Sequence, residues 1–310
     1  MTDLFSGLTQ EIISGIALGS IYALIALGFT MIFKATEVVN FAQGELMMVG
    51  AYVNFFFVTT FLSATGTPTA WTFLVALGGS MIFSVLFGYI LDFIINRPLK
   101  DEPIFSIIMA TLSLAIIIRA VVAIIAGPIS LMPFSPFGDS AISFGNIVVS
   151  VLDLFIIVSA IGLVIIFYYI FQYTRWGIAM QATSEDPVAA QLMGIPIKRV
   201  YALVWIFSAI VATLSGILLA PRIALLDTTM GFLGLKAFPA AVLGGFGSIP
   251  GAIVGGVILG VIETVSMGTL SFHFQWIKEI NDIIPWIVLI ADLMIKPNGL
   301  FGVEKVKNVY

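Results

Sequence analysis

Almost every long stretch of this chain is apolar for the roughly 20 residues that a helix needs to cross a bilayer core. Such segments run over residues 12–33, 43–62, 70–95, 104–126, 147–171, 200–220, 250–268 and 278–296. Sixty per cent of the residues are hydrophobic and 10% are charged, against about 25% charged in a soluble domain. Water cannot solvate such an exterior, so lipid must. The fold class expected is all-α, a polytopic membrane helical bundle formed by one domain over residues 1–310. A ninth apolar segment, 233–247, is shorter and is broken by Pro239, Gly244, Gly245 and Gly247. Broken backbone at membrane depth survives only where protein or a wet cavity satisfies the freed groups.

The remaining composition excludes several functions. A net charge of −4 with no basic tract argues against a nucleic-acid partner. With no cysteine there is neither a disulfide framework nor thiolate chemistry. No Gly-x-x-x-x-Gly-Lys-Ser/Thr loop occurs, so the chain has no such nucleotide cradle of its own. No metal-ligating or nucleophilic constellation is present, and no catalytic residue is expected. The start, Met1-Thr2-Asp3-Leu4, lacks a basic region, and the first apolar segment reads as a retained span.

Positive charge sets the orientation. With 34–37, 97–103, 172–199 and 297–310 in the cytoplasm, nine of the 13 Lys and Arg fall inside or, for Lys296, at the boundary: Lys34, Arg97, Lys100, Arg175, Lys198, Arg199, Lys296, Lys305 and Lys307. Arg222, Lys236 and Lys278 fall outside or at the outer interface. The N-terminus is then outside and the C-terminus inside, which needs an odd number of crossings. Discounting 233–247 gives eight crossings and counting it gives nine; the charge pattern favours nine, with 233–247 as an irregular, re-entrant-like crossing. Four crossings on each side of span 147–171 would have opposite topology, the inverted-repeat pattern of many transporters.

The longest polar stretch, 172–199, is expected to be a cytoplasmic coupling loop. Asp186 suits a helix N-cap and Pro187 the first helical position. Gly194 suits a left-handed C-cap, and Pro196 blocks continuation. The two-turn helix between them is too short to be stable alone. Its apolar residues Val188, Ala189, Leu192 and Met193 share a face, while Ala190 and Gly194 keep the adjoining surface narrow.

The Ala189-Ala190 pair followed by Gly194 resembles the signature loop of ABC importer permeases. Further motifs extend the resemblance end to end: Gly19-Ser20-Ile21-Tyr22-Ala23-Leu24, Asn40-Phe41-Ala42-Gln43-Gly44-Glu45 with Gly50-Ala51-Tyr52, Arg175-Trp176-Gly177, Gly244-Gly245-Phe246-Gly247-Ser248 with Pro250-Gly251, and Lys296-Pro297-Asn298-Gly299-Leu300-Phe301-Gly302. Together they are similar to the branched-chain amino acid ABC transporter permease family, whose relatives include urea and amide permeases. Gln43 departs from the His often found there. The resemblance implies a bacterial inner-membrane complex. Its parts would be a second permease subunit, two ATPase subunits carrying ATP and magnesium, and a periplasmic solute-binding protein. No cofactor is expected in this chain itself. The solute would be a branched-chain or related amino acid, or alternatively urea or a short amide.

Candidate pathway residues are Asn40, Gln43, Glu45 and Asn54 on the second crossing, with Gly244 and Gly245 on the broken one. Asn40, Gln43 and Glu45 are expected at its cytoplasmic start. Candidate coupling residues are Asp186, Pro187, Ala189, Ala190, Leu192 and Gly194. Arg119 and Asp153 lie at matched depths in successive spans and are expected to pair. Asp292 and Lys296 are spaced for a helix ion pair, and His273 is expected in an outer loop. Gly251-x-x-x-Gly255 and Gly256-x-x-x-Gly260 favour close helix contact. Competing functions are a passive channel for a small polar solute, which leaves the capped loop helix unexplained, and an ion-coupled transporter, which would place carboxylates near the midplane.

Overall fold

The computed structural model describes residues 2–65, 70–99, 102–127, 129–135, 137–138, 140–144, 147–271 and 279–302. His273 and Lys278, like Lys100, Lys305 and Lys307, lie outside them. Helix α1 spans Thr2–Thr36, α2 Gln43–Thr65 and α3 Ala70–Leu91. A π-helical turn at Asp92–Asn96 and a last turn at Arg97–Leu99 extend α3. Helix α4 is Ile104–Ala126. A hairpin of β1, Ala141–Phe144, and β2, Ile147–Ser150, pairs Ala141 with Ser150. Then come α5, Val151–Tyr173, and two loop helices, α6 at Arg175–Glu185 and α7 at Pro187–Leu192. Helix α8 is Ile197–Ile223, α9 Met230–Leu235, α10 Ala237–Gly244, α11 Ile249–Val265 and α12 Ile284–Ile295.

Among the described residues, seven helices are long and apolar enough to cross a membrane. The other two of the eight to nine expected segments are shorter among the described residues, and the broken character expected of 233–247 is seen. Segment 233–247 is two short helices, α9 and α10, and α12 has 12 residues, about 18 Å. The span expected from residue 147 begins with strand β2; its helix starts at Val151, capped by Ser150, whose Oγ accepts from Leu152 N at 3.2 Å.

The centre is built from α1, α2, α8 and α11. Inside lipid, apolar surface alone does not drive helices together, and close backbone approach takes over. The two small-residue motifs serve different neighbours. Gly256 and Gly260 pack on Ala23 and Gly19 of α1, while Gly251 and Gly255 pack on Gly244 and Ala240 of α10. Gly216 of α8 lies against the Met47 carbonyl and Gly50 of α2 against Thr213. In contrast, α3, α4 and α5 leave most of their residues unburied, as lipid-facing helices do.

Candidate functional site

The second crossing does not begin at the membrane surface. After α1 ends, Glu37 takes a left-handed φ of 56°, and residues 37–42 climb without helix into the bundle. Asn40 holds the turn, its Oδ1 accepting from Ala42 N at 3.0 Å. Gln43, the first residue of α2, then meets Ser208. Ser208 lies about 16 Å along α8 at 1.5 Å per residue. Its Oγ donates to Gln43 Oε1 at 2.8 Å, and Gln43 Nε2 donates to the Ser208 carbonyl at 3.3 Å. Gly28 of α1 leaves the room: a β-carbon there would collide with Gln43 Nε2. Asn40, Gln43 and Glu45, expected at the cytoplasmic start of the second crossing, do stand at the start of α2, but that start lies inside the bundle. All three are buried, and Gln43 and Glu45 reach the middle of the bundle.

Glu45 Oε1 accepts from Arg119 Nη2 of α4. The Arg119 Cζ lies 3.6 Å from the centroid of the Phe232 ring on α9. Gly231 abuts the carboxylate, where a side chain would collide with it. The expected Arg119–Asp153 pair does not form. Asp153 Oδ1 instead lies 3.3 Å from Arg222 Nε, and Arg222 Nη2 donates to the Ser14 carbonyl and hydroxyl at 2.8 and 2.7 Å. The helix containing Asp153 starts at Val151 rather than 147, which leaves Asp153 in its first turn, whereas Arg119 lies about 10 Å inside the end of α4, so the matched depth read from the sequence does not hold. Asp153 sits in the first turn of α5 and Arg222 in the last turn of α8, where each helix dipole favours the charge it receives.

Gly244 and Gly245, the candidates on the broken segment, lie apart from this cluster. Gly245 has φ 96° and turns the chain out of α10. The C-terminal turn docks there, Leu300 N donating to Leu243 O at 2.8 Å and Phe301 N to Gly244 O at 3.1 Å. The expected Asp292–Lys296 ion pair gives way to a bond from Lys296 Nζ to Leu300 O, 2.9 Å. Asn54 is also separate, lining a small cavity with Pro133, Phe134 and Pro221.

The loop helix is capped at both ends. Asp186 Oδ1 accepts from Val188 N and Ala189 N, both at 2.9 Å, and Gly194 has φ 86°. Val188, Leu192 and Met193 are 69%, 83% and 84% exposed. Ala190, expected at the edge of a docking face, is instead buried; it faces the protein. Beside α7 opens a cavity of about 640 Å³. Its wall joins Asn40, Asn96, Thr111 and Trp205 to Val188 and Gln191 of α7, so the ends of α1 and α3 and the starts of α4 and α8 share one end of the bundle with α7.

Several polar groups carry no strong sequence signal. Ser84 Oγ donates to Thr213 Oγ1 at 2.6 Å. Tyr22 donates to Glu263 at 2.7 Å, and Lys236 Nζ bridges Glu263 at 3.1 Å and Asp282 at 2.8 Å. Asp92 receives both Asn96 Nδ2 at 2.8 Å and Arg97 Nε at 2.9 Å. The i to i+5 spacing of the ion pair suits the wider π-helical turn.

A bundle of apolar helices with broken segments meeting at mid-depth, and a capped loop helix at one end, defines a multi-pass membrane permease. The chain belongs to the family described as branched-chain amino acid transport system / permease component, whose profile matches residues 11–293. It is 33% identical to the high-affinity branched-chain amino acid transport system permease protein LivH of Salmonella typhimurium, over 100% of both chains. The LivH protein of Escherichia coli is 32% identical over the same full coverage. The permease protein BraD of Pseudomonas aeruginosa is 32% identical over 97% of each chain.

Proposed function

We propose that this chain is one membrane subunit of an ATP-driven importer that brings branched-chain or related aliphatic amino acids across the bacterial inner membrane. The chain moves no phosphate itself. ATP and magnesium are used by two ATPase subunits, a second permease chain completes the pore, and a periplasmic binding protein delivers solute. The observation that carries this reading is α7. A six-residue helix and its C-cap Met193 present Val188, Leu192 and Met193 to water at the end of the bundle where the cavity below Asn40 opens. An exposed apolar face on so short a helix gains its order from a partner that covers it, and a groove on an ATPase supplies that cover. The cavity then serves as the exit on the cytoplasmic side. Full-length likeness to the LivH and BraD permeases supports the choice of solute.

The test is uptake into proteoliposomes that hold the chain with its partner permease, ATPases and binding protein. ATP-dependent accumulation of leucine, absent without the ATPases, is expected. Uptake of urea or acetamide in place of leucine would shift the reading to an amide permease. ATP-independent equilibration would make the chain a channel.

A further inference from the structure

Glu45 and Arg119 make an ion pair in a place where a structural ion pair is poorly served. Arg119 lies about 22 Å along α4, and Glu45 lies on the first turn of α2, itself already at mid-depth. Lipid solvates neither charge at that depth, and intramembrane ionisable groups face a bundle interior or a wet path. A pair kept for stability would be expected to satisfy its remaining atoms. Here Glu45 Oε2 and Arg119 Nε have no hydrogen-bond partner, although both atoms are buried. The carboxylate is flanked by Gly231, which offers it no side-chain donor.

The surroundings allow the pair to open. Glu45 sits on α2, which is held firmly against α8. Arg119 sits on α4, which buries only Thr111, Ala115 and Ile118 fully, with Leu114, Val122 and Ala126 packed beside them. Helix α9, half of the broken segment, supplies Gly231 and Phe232. The Arg119 side chain is 26% exposed and Phe232 is 54% exposed. Part of the Arg119 side chain is thus open beside Phe232, and at that depth a wet path serves it better than acyl chains do.

We propose that the Glu45–Arg119 pair is the mid-membrane contact of a zwitterionic solute, which parts the two side chains and takes each one's place for the other. The solute's ammonium meets Glu45 and its carboxylate meets Arg119, while Phe232 lies beside its apolar side chain. The total charge in the site is zero with or without solute, so passage leaves no unpaired charge in low dielectric. An uncharged solute gains nothing from separating the pair, and a solute with one charge satisfies only one half. The inference rests on the amino-acid reading given above and adds the residues that would enforce it.

The experiment uses the complete complex in proteoliposomes, with unaltered protein as the reference. Glu45→Gln and Arg119→Gln are each expected to lower ATP-driven leucine uptake at least tenfold, with assembly retained. The exchanged double variant E45R/R119E restores opposite charges but reverses their order along the path, and uptake is expected to stay low. Wild-type uptake in the exchanged variant, or in either single variant, would overturn the proposal and leave a structural clamp.

A second measurement keeps the test open if these variants do not assemble. The chain has no native cysteine, so Phe232→Cys gives a single thiol in this subunit beside the guanidinium. Saturating leucine is expected to slow its labelling by a small thiol reagent. Leucine methyl ester, which keeps only the cation, and N-acetylleucine, which keeps only the anion, are expected not to. Equal protection by all three, or none by leucine, would overturn the proposal. If the unaltered complex takes up no amino acid, the functional reading fails first and this inference with it. If the unaltered complex transports and the variants do as well, this inference alone fails.

Discussion

Ser208 Oγ on α8 donates to Gln43 Oε1 at the first residue of α2, 2.8 Å away in the middle of the bundle. That bond fixes how deeply the irregular segment 37–42 enters the protein. It also accounts for Gly28, which stands where any side chain would strike the Gln43 amide. Gly28→Ala is expected to destabilise the protein by about 1–3 kcal/mol through overpacking. Ser208→Ala should cost a comparable ~1–3 kcal/mol, because the buried amide loses a donor that water cannot replace. Thermal unfolding in detergent reads both, and a midpoint unchanged in both variants would mean that Gln43 is not held as described.

The ion pair between Asp153 and Arg222 predicts a coupling that Arg119 lacks. In a double-mutant cycle with alanine, Asp153 and Arg222 should show an interaction energy of about 0.5–3 kcal/mol, whereas Asp153 and Arg119 should be additive to within about 0.5 kcal/mol. The opposite pattern would restore the pairing expected from depth alone.

Helix α7 separates two effects that sequence spacing merges. Leu192→Asp changes a residue that is 83% exposed; it should leave the unfolding midpoint of the isolated chain in place and abolish ATP hydrolysis stimulated by the binding protein. Ala190→Asp places a charge in a buried position and should destabilise the chain before any partner is added. Gly194→Val strains a left-handed cap by about 1 kcal/mol or more, although no neighbouring atom obstructs the new side chain. Normal stimulated hydrolysis with Leu192→Asp would show that α7 is not the ATPase contact.

Orientation is open to a direct measurement. With no native cysteine, Ser184→Cys on α6 should react with an impermeant reagent only from the cytoplasm. Met132→Cys, exposed near the opposite end, should react only from the periplasm. Labelling of Ser184→Cys from the periplasm would reverse the topology and place α7 out of reach of any ATPase.

The sequence by itself determined the solvent of this protein and most of its helices. Runs of apolar residues report what surrounds a helix, because lipid and water differ so strongly in what they solvate. The α7 caps were legible as well, since Asp186, Pro187 and Gly194 act on their own backbone within a few residues. Family motifs extended that reading to the kind of machine the chain serves. What the tertiary structure alone decided is which polar side chain meets which. Arg119 and Asp153 read as lying at matched depths, but Arg119 lies well inside α4 and meets Glu45 of α2, while Asp153 is in the first turn of α5 and meets Arg222 of α8. Gln43, Glu45 and Asn40 read as the cytoplasmic start of the second crossing, and a break before a helix normally lies at a surface. They are in the interior because Gly28, Gly44 and Gly231 let neighbouring backbones close around a broken segment. Hydropathy varies along the chain and fixes depth, whereas pairing depends on rotation about each helix and on where small residues admit a neighbour, and both arise only when the helices pack.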